Sequence, residues 1–105
     1  MISAQFEFGP DLPSLDGHFP GDPIVPGVVL LDRAMNAIAA ELGDVKPVEV
    51  KWAKFHAAVR PPATIGLAAR REPGGTVYFE LRQGDRLVLD GALRVEALGD
   101  SDARR

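Results

Sequence analysis

The stretch GHFPGDPIVPGVVLLDRAMNAIAAEL, residues 17–42, decides the fold. Its first half is a loop. Pro20, Pro23 and Pro26 fix φ and remove amide donors, so no regular element survives between His18 and Pro26. After Gly27 the composition changes abruptly. Residues 28–42 hold neither Gly nor Pro and are mostly aliphatic, which predicts a helix. Its apolar residues fall on nearly every side: Val28, Val29, Leu30, Leu31, Ala34, Met35, Ala37, Ile38, Ala39 and Leu42. A helix apolar all round is a buried one. Asp32, Arg33 and Asn36 interrupt it, and it is too short to span a bilayer.

The loop therefore carries His18 to the amino end of a buried helix, and Asp32 sits about one turn inside. A histidine, an apolar-embedded carboxyl and free amides at a helix start form an acid–base site. The plainer alternative is that His18 caps a turn and Asp32 is an early-helix acid favoured by the dipole. Residue types alone leave both open.

Outward from the helix, the chain reads as strands. Residues 2–8 alternate, with Ile2, Ala4, Phe6 and Phe8 on one face. Gly43 is placed to cap the helix at its carboxyl end. Residues 48–52 alternate, and then Phe55, Ala57 and Val59 are apolar at the opposite parity. That slip predicts a bulge, or a change of which face is buried, in a strand that runs to Pro61-Pro62. Ile65, Leu67 and Ala69 mark a third strand, and Gly74-Gly75 a hairpin turn. Val77, Phe79 and Leu81 mark a fourth strand; Leu87, Leu89, Gly91, Leu93 and Val95 mark a fifth. One helix followed by successive strands predicts an α+β fold with an antiparallel sheet of about five strands around the helix. At 105 residues this is one domain, 1–98, with a polar tail at 99–105.

The segment His18-Phe19-Pro20-Gly21-Asp22-Pro23-Ile24-Val25-Pro26-Gly27-Val28, followed by Asp32, resembles the signature of the bacterial 3-hydroxyacyl-acyl carrier protein dehydratases. The preceding Asp11-Leu12-Pro13-Ser14-Leu15-Asp16-Gly17 is closest to the small dehydratases of aryl-polyene and related specialised acyl pathways. The resemblance spans about residues 6–95, strongly over 12–38. It implies a hot-dog fold, with the buried central helix wrapped by a curved antiparallel sheet. It also implies dehydration of a (3R)-3-hydroxyacyl thioester to the trans-2-enoyl thioester, with His18 and Asp32 as the catalytic pair. In the family these two come from different subunits, which implies a homodimer or an assembly of dimers.

The implied reaction needs a base at the carbon beside the thioester carbonyl, an acid for the departing hydroxyl and a donor for the enolate-like oxygen. Neutral His18 suits the first role, since an unperturbed histidine has a pKa of ~6.5. The amide of Gly27 or Val28 suits the third; the resemblance favours Gly27. Asp32 either donates a proton, which burial beside Val28, Leu31 and Met35 would favour, or orients the hydroxyl while His18 shuttles the proton. Phe19 is read as core or tunnel wall and Asp22 as a turn acid. Asn36, one turn past Asp32, either bonds the acid or sits at a dimer seam. Arg33 departs from the family, and contact with Asp32 would hold the acid ionised. His56 is read as structural, and the resemblance implies backbone strain near His18-Phe19.

Composition bounds the alternatives. The net charge is −3, so nothing suggests nucleic acid. There is no cysteine, which excludes disulfides and thiolate chemistry, and two histidines make a zinc site a poor fit. No metal or cofactor is implied, since the substrate brings its own phosphopantetheine. The start of the chain has no signal-peptide pattern, so the expected location is the cytoplasm. The expected partner is acyl carrier protein or an acyl-CoA thioester. Arg60, Arg70, Arg71, Arg82 and Arg86 are candidates for a basic rim facing an acidic carrier. A hot-dog thioesterase and a non-catalytic acyl-binding partner are the competing functions.

Overall fold

The structure, a computed structural model, describes residues 1–9 and 24–98. The order of elements is β1 (Ile2–Phe8), α1 (Gly27–Leu42), β2 (Val45–Phe55), β3 (Ala63–Glu72), β4 (Thr76–Gln83) and β5 (Arg86–Ala97). The five strands form one sheet in the order β1-β3-β4-β5-β2, and every neighbouring pair is antiparallel. This is the expected hot-dog arrangement, one helix lying against an antiparallel sheet. The tail at 99–105 lies outside the described residues.

Alternation decides which face the helix meets. Phe6 pairs with Ile65, Leu67 with Leu81, Leu81 with Leu89 and Val77 with Leu93. All of these are buried, in one core with Leu30, Ala34 and Ile38 of the helix. Those three recur every four residues and form a single stripe. Tyr78, Arg70, Arg94 and Trp52 point away from the core and are exposed.

The turns follow their residues. Gly43 adopts φ 74° and its N–H donates to the Ala39 carbonyl, closing the helix in the left-handed conformation that glycine tolerates. Gly74 and Gly75 have φ of 90° and 87° between β3 and β4. The Gly75 carbonyl accepts the Val95 N–H at 2.8 Å, which ties this hairpin to β5.

Two expectations are corrected. β2 ends at Phe55 instead of running to the prolines, and its irregularities fall between Pro47 and Glu49 and between Val50 and Trp52. After Phe55 the His56 N–H still donates to the Val88 carbonyl, but residues 57–62 leave the sheet. In β5, Val88 is fully buried and Leu87 only partly, because the β4–β5 register slips after Leu81. Among the described residues, the sheet covers one side of the helix: Val28 is 73% exposed, and Asp32 and Asn36 share its open stripe. A sheet contacts one face of a helix, so apolar character all round calls for cover from beyond the described residues.

Candidate active site

Pro26 stands at the N-cap of α1 without a side-chain cap. Its carbonyl accepts the Val29 N–H at 3.0 Å and the Leu30 N–H at 3.3 Å. The amides of Gly27 and Val28 therefore precede the first helical bond, at the positive end of the dipole. The chain entering the helix is anchored where the Val25 N–H donates to the Val59 carbonyl at 2.8 Å, between two buried valines. Beside this anchor lies an open cleft of about 510 Å³, walled by Val25, Gly27, Leu30, Phe55, His56 and Ala58 among others.

Asp32 sits one turn further along the open stripe. Asn36 Nδ2 donates to Asp32 Oδ2 at 3.3 Å, the i,i+4 contact expected from their spacing. Among the described residues, one carboxylate oxygen is thereby engaged. Among the described residues, Asp32, Val28 and Asn36 are exposed together, because the sheet meets the opposite stripe, and the apolar burial expected around Asp32 does not come from them. His18, Phe19 and Asp22, and the backbone at His18-Phe19, lie outside the described residues.

Arg33 does not reach the acid. Its guanidinium lies over the rings of Phe6 and Phe8, 5.0 and 5.1 Å from their centroids. The two rings meet edge to face at 5.7 Å. The cation thus tethers the helix to β1. Arg33→Ala is expected to cost about 1 kcal/mol from lost ring contact and stem packing. Thermal melting should show a drop of about 4–8 °C. Activity should stay within about twofold of wild type, whereas a partner of the catalytic acid would cost more than about tenfold.

Two further residues, His56 and Phe55, border the cleft. His56 Nε2 lies 2.7 Å from Asp90 Oδ1. With the carboxylate as acceptor, Nε2 carries the hydrogen. The pair ties the end of β2 to β5, which agrees with a structural His56, although the residue also borders the cleft. Phe55 walls the same cleft with 53% of its surface exposed. Its opposite parity after the slip was the available signal.

The arginines do not form one rim. Arg70 pairs with Glu72 at 3.3 Å and lies over Tyr78, and Arg71 pairs with Asp44 at 3.1 Å. At the other end of β4, Arg82 pairs with Glu80 at 3.0 Å on the outer face. Arg86 Nη2 donates to the Ala58 carbonyl at 2.9 Å, which brings it beside the cleft. Arg60 belongs to the segment that carries the Val59 anchor.

Known proteins share this architecture. A 3-hydroxyacyl-[acyl-carrier-protein] dehydratase FabZ from Chlamydia trachomatis serovar L2 is 30% identical over 95 residues, covering 77% of this chain and 62% of that protein. The chain thus spans less than two-thirds of that relative's length. The dehydratase heterocomplex ApeI:P from Xenorhabdus doucetiae superposes with a TM-score of 0.76 at 23% identity, covering 89% of this chain and 84% of that one. The fluoroacetyl-CoA-specific thioesterase FlK, in a mutant form, superposes with a TM-score of 0.69 at 14% identity, over 99% of this chain and 94% of that one. At these identities the two structures speak to the fold alone, a hot-dog. The ApeI-like family, described as ApeI dehydratase, matches residues 1–92, from the first strand through the loop and helix into the fifth strand. The chain belongs to the ApeI-like dehydratase family.

Proposed function

We propose that the chain removes water from a (3R)-3-hydroxyacyl thioester on acyl carrier protein, giving the trans-2-enoyl thioester in fatty-acid or related acyl-chain biosynthesis. The observation that supports it best is Asp32 on the open stripe of α1, one oxygen held by Asn36, a turn beyond the amides of Gly27 and Val28. In this reading the thioester oxygen meets those amides, which stabilise the enolate-like charge. His18 takes the proton from C2, whose electron pair forms the C2–C3 double bond as the C3–O bond breaks. Asp32 orients the 3-hydroxyl through its other oxygen. The proton on His18 returns to the departing oxygen, so water leaves and the enzyme regains its starting state.

The proposal includes a homodimer, or an assembly of dimers, with His18 of one subunit serving Asp32 of the other. β2 is an edge strand with Val48, Val50 and Trp52 exposed, and the open stripe of the helix also needs cover. Residues 1–98 are taken as one domain. The substrate supplies the phosphopantetheine arm, and no cofactor of the chain's own is invoked. No helix among the described residues is long and apolar enough to cross a membrane, and the proposed setting is the cytoplasm.

The test is turnover of a 3-hydroxyacyl thioester, followed by enoyl absorbance, beside release of thiol from a plain acyl thioester. A dehydratase yields the first signal without the second, and a thioesterase the reverse. Binding without either signal would favour a partner subunit, as in a dehydratase heterocomplex. Light scattering should show a dimer at micromolar concentration; a stable monomer there would contradict the shared site.

A further inference from the structure

Gly27 opens the helix, and its φ lies outside the left-handed region, so backbone conformation does not call for a glycine there. Space does. A Cβ at this position would stand 2.6 Å from Cε1 and 3.0 Å from both Cδ1 and Cζ of Phe55. The ring of Phe55 therefore lies flush against the first turn of α1, next to the amides of Gly27 and Val28. Phe55 is not part of the buried core, and over half its surface is exposed. A large apolar side chain left in water gives up the stabilisation that burial would bring. Its position is nonetheless well defined: Phe55 pairs with Leu89 at the end of β2, and the next residue is held by the His56 N–H to the Val88 carbonyl at 2.8 Å. The ring's remaining surface forms a wall of the 510 Å³ cleft that runs past the helix start.

We propose that Phe55 is a specificity-determining residue, a wall that admits straight acyl chains to the helix start and rejects chains branched close to the reacting carbons. The inference rests on the dehydratase reading for its substrate class. A thioester whose oxygen meets the Gly27 or Val28 amide must lay its first carbons alongside the ring. A straight chain passes as a slim cylinder, whereas a methyl branch at C4 projects into the ring or forces it outward. Removing the ring opens room for the branch, and a methyl-sized difference in an apolar pocket is typically worth 10–200-fold in discrimination.

The experiment compares two isomers of equal carbon count, 3-hydroxyhexanoyl and 3-hydroxy-4-methylpentanoyl pantetheine thioesters. Wild-type protein should prefer the straight isomer in kcat/KM, and Phe55→Ala should shift the ratio toward the branched one by about tenfold or more. Phe55→Leu should fall between them. A ratio unchanged within about twofold in Phe55→Ala, with wild type active, overturns the proposal and leaves the dehydratase reading intact. The same ratio is read without chemistry by calorimetric binding of the hexanoyl and 4-methylpentanoyl amide analogues, in which NH replaces the pantetheine sulfur. If wild type turns over neither thioester, the dehydratase reading fails, and the binding ratio alone decides on Phe55. Binding of neither amide overturns both. As a coupling test, Gly27→Ala should weaken amide binding about tenfold while Phe55 is present and less than about threefold in the Phe55→Ala background. Equal losses in both backgrounds would show that the ring and the glycine do not act together.

Discussion

Asp32→Asn is expected to lower dehydration by about 10²–10⁴-fold, and His18→Ala by a similar factor, as for loss of a positioned acid–base group. The melting temperature of Asp32→Asn should barely move. Asp32 is exposed, its side chain accepts the 3.3 Å bond from Asn36 among the described residues, and an isosteric amide on such a surface changes stability by at most about 0.5 kcal/mol. The combination of a collapsed rate and an unchanged fold separates a catalytic acid from an early-helix acid favoured by the dipole. The double variant should be little worse than either single one, because residues acting as a unit are strongly non-additive. Nearly full activity in Asp32→Asn would remove the role given to the acid.

Gly91→Val is expected to cost about 3 kcal/mol, at the upper end of overpacking effects. A Cβ on Gly91 would meet the Trp52 backbone carbonyl at 2.6 Å and the Phe79 ring at 3.0 Å. The obstacle is backbone, which cannot swing aside as a ring can. Gly91 pairs with Ala53 and lies just past the irregularity of β2 between Val50 and Trp52. Relief of the clash must therefore shift β2 from β5, and with it the end of β2 that holds Phe55. Thermal melting should report a drop of roughly 12–24 °C, from about 4–8 °C per kcal/mol in a domain of this size. A melting temperature within about 2 °C of wild type would show that β2 yields there without strain, since that corresponds to less than about 0.5 kcal/mol.

Much of this was legible where the signal is local. The prolines, the abrupt start of the aliphatic run and Gly43 gave the bounds of the helix, and the glycine pairs marked the turns. Period-two alternation found the five strands. The readings that failed depend on partners distant in sequence. Phe55, Ala57 and Val59 share a parity, but only the pairing with β5 decides that the strand stops at Phe55 and that Val59 turns inward to anchor Val25. Likewise, nothing near Arg33 announces Phe6 and Phe8, and the scattered arginines follow from strand order, which alternation does not encode. An apolar helix surface says that cover is needed on every side; it does not say which side its own sheet supplies.

The side that the described residues leave open is where the proposed second subunit enters, and mixing two inactive variants tests the arrangement most directly. His18→Ala and Asp32→Asn are combined under conditions of demonstrated subunit exchange, and enoyl formation is followed. If each site takes His18 from one chain and Asp32 from the other, a mixed dimer keeps one intact site. With random pairing, half the dimers are mixed and roughly a quarter of wild-type turnover should return. Exchange without any recovery would contradict the shared site.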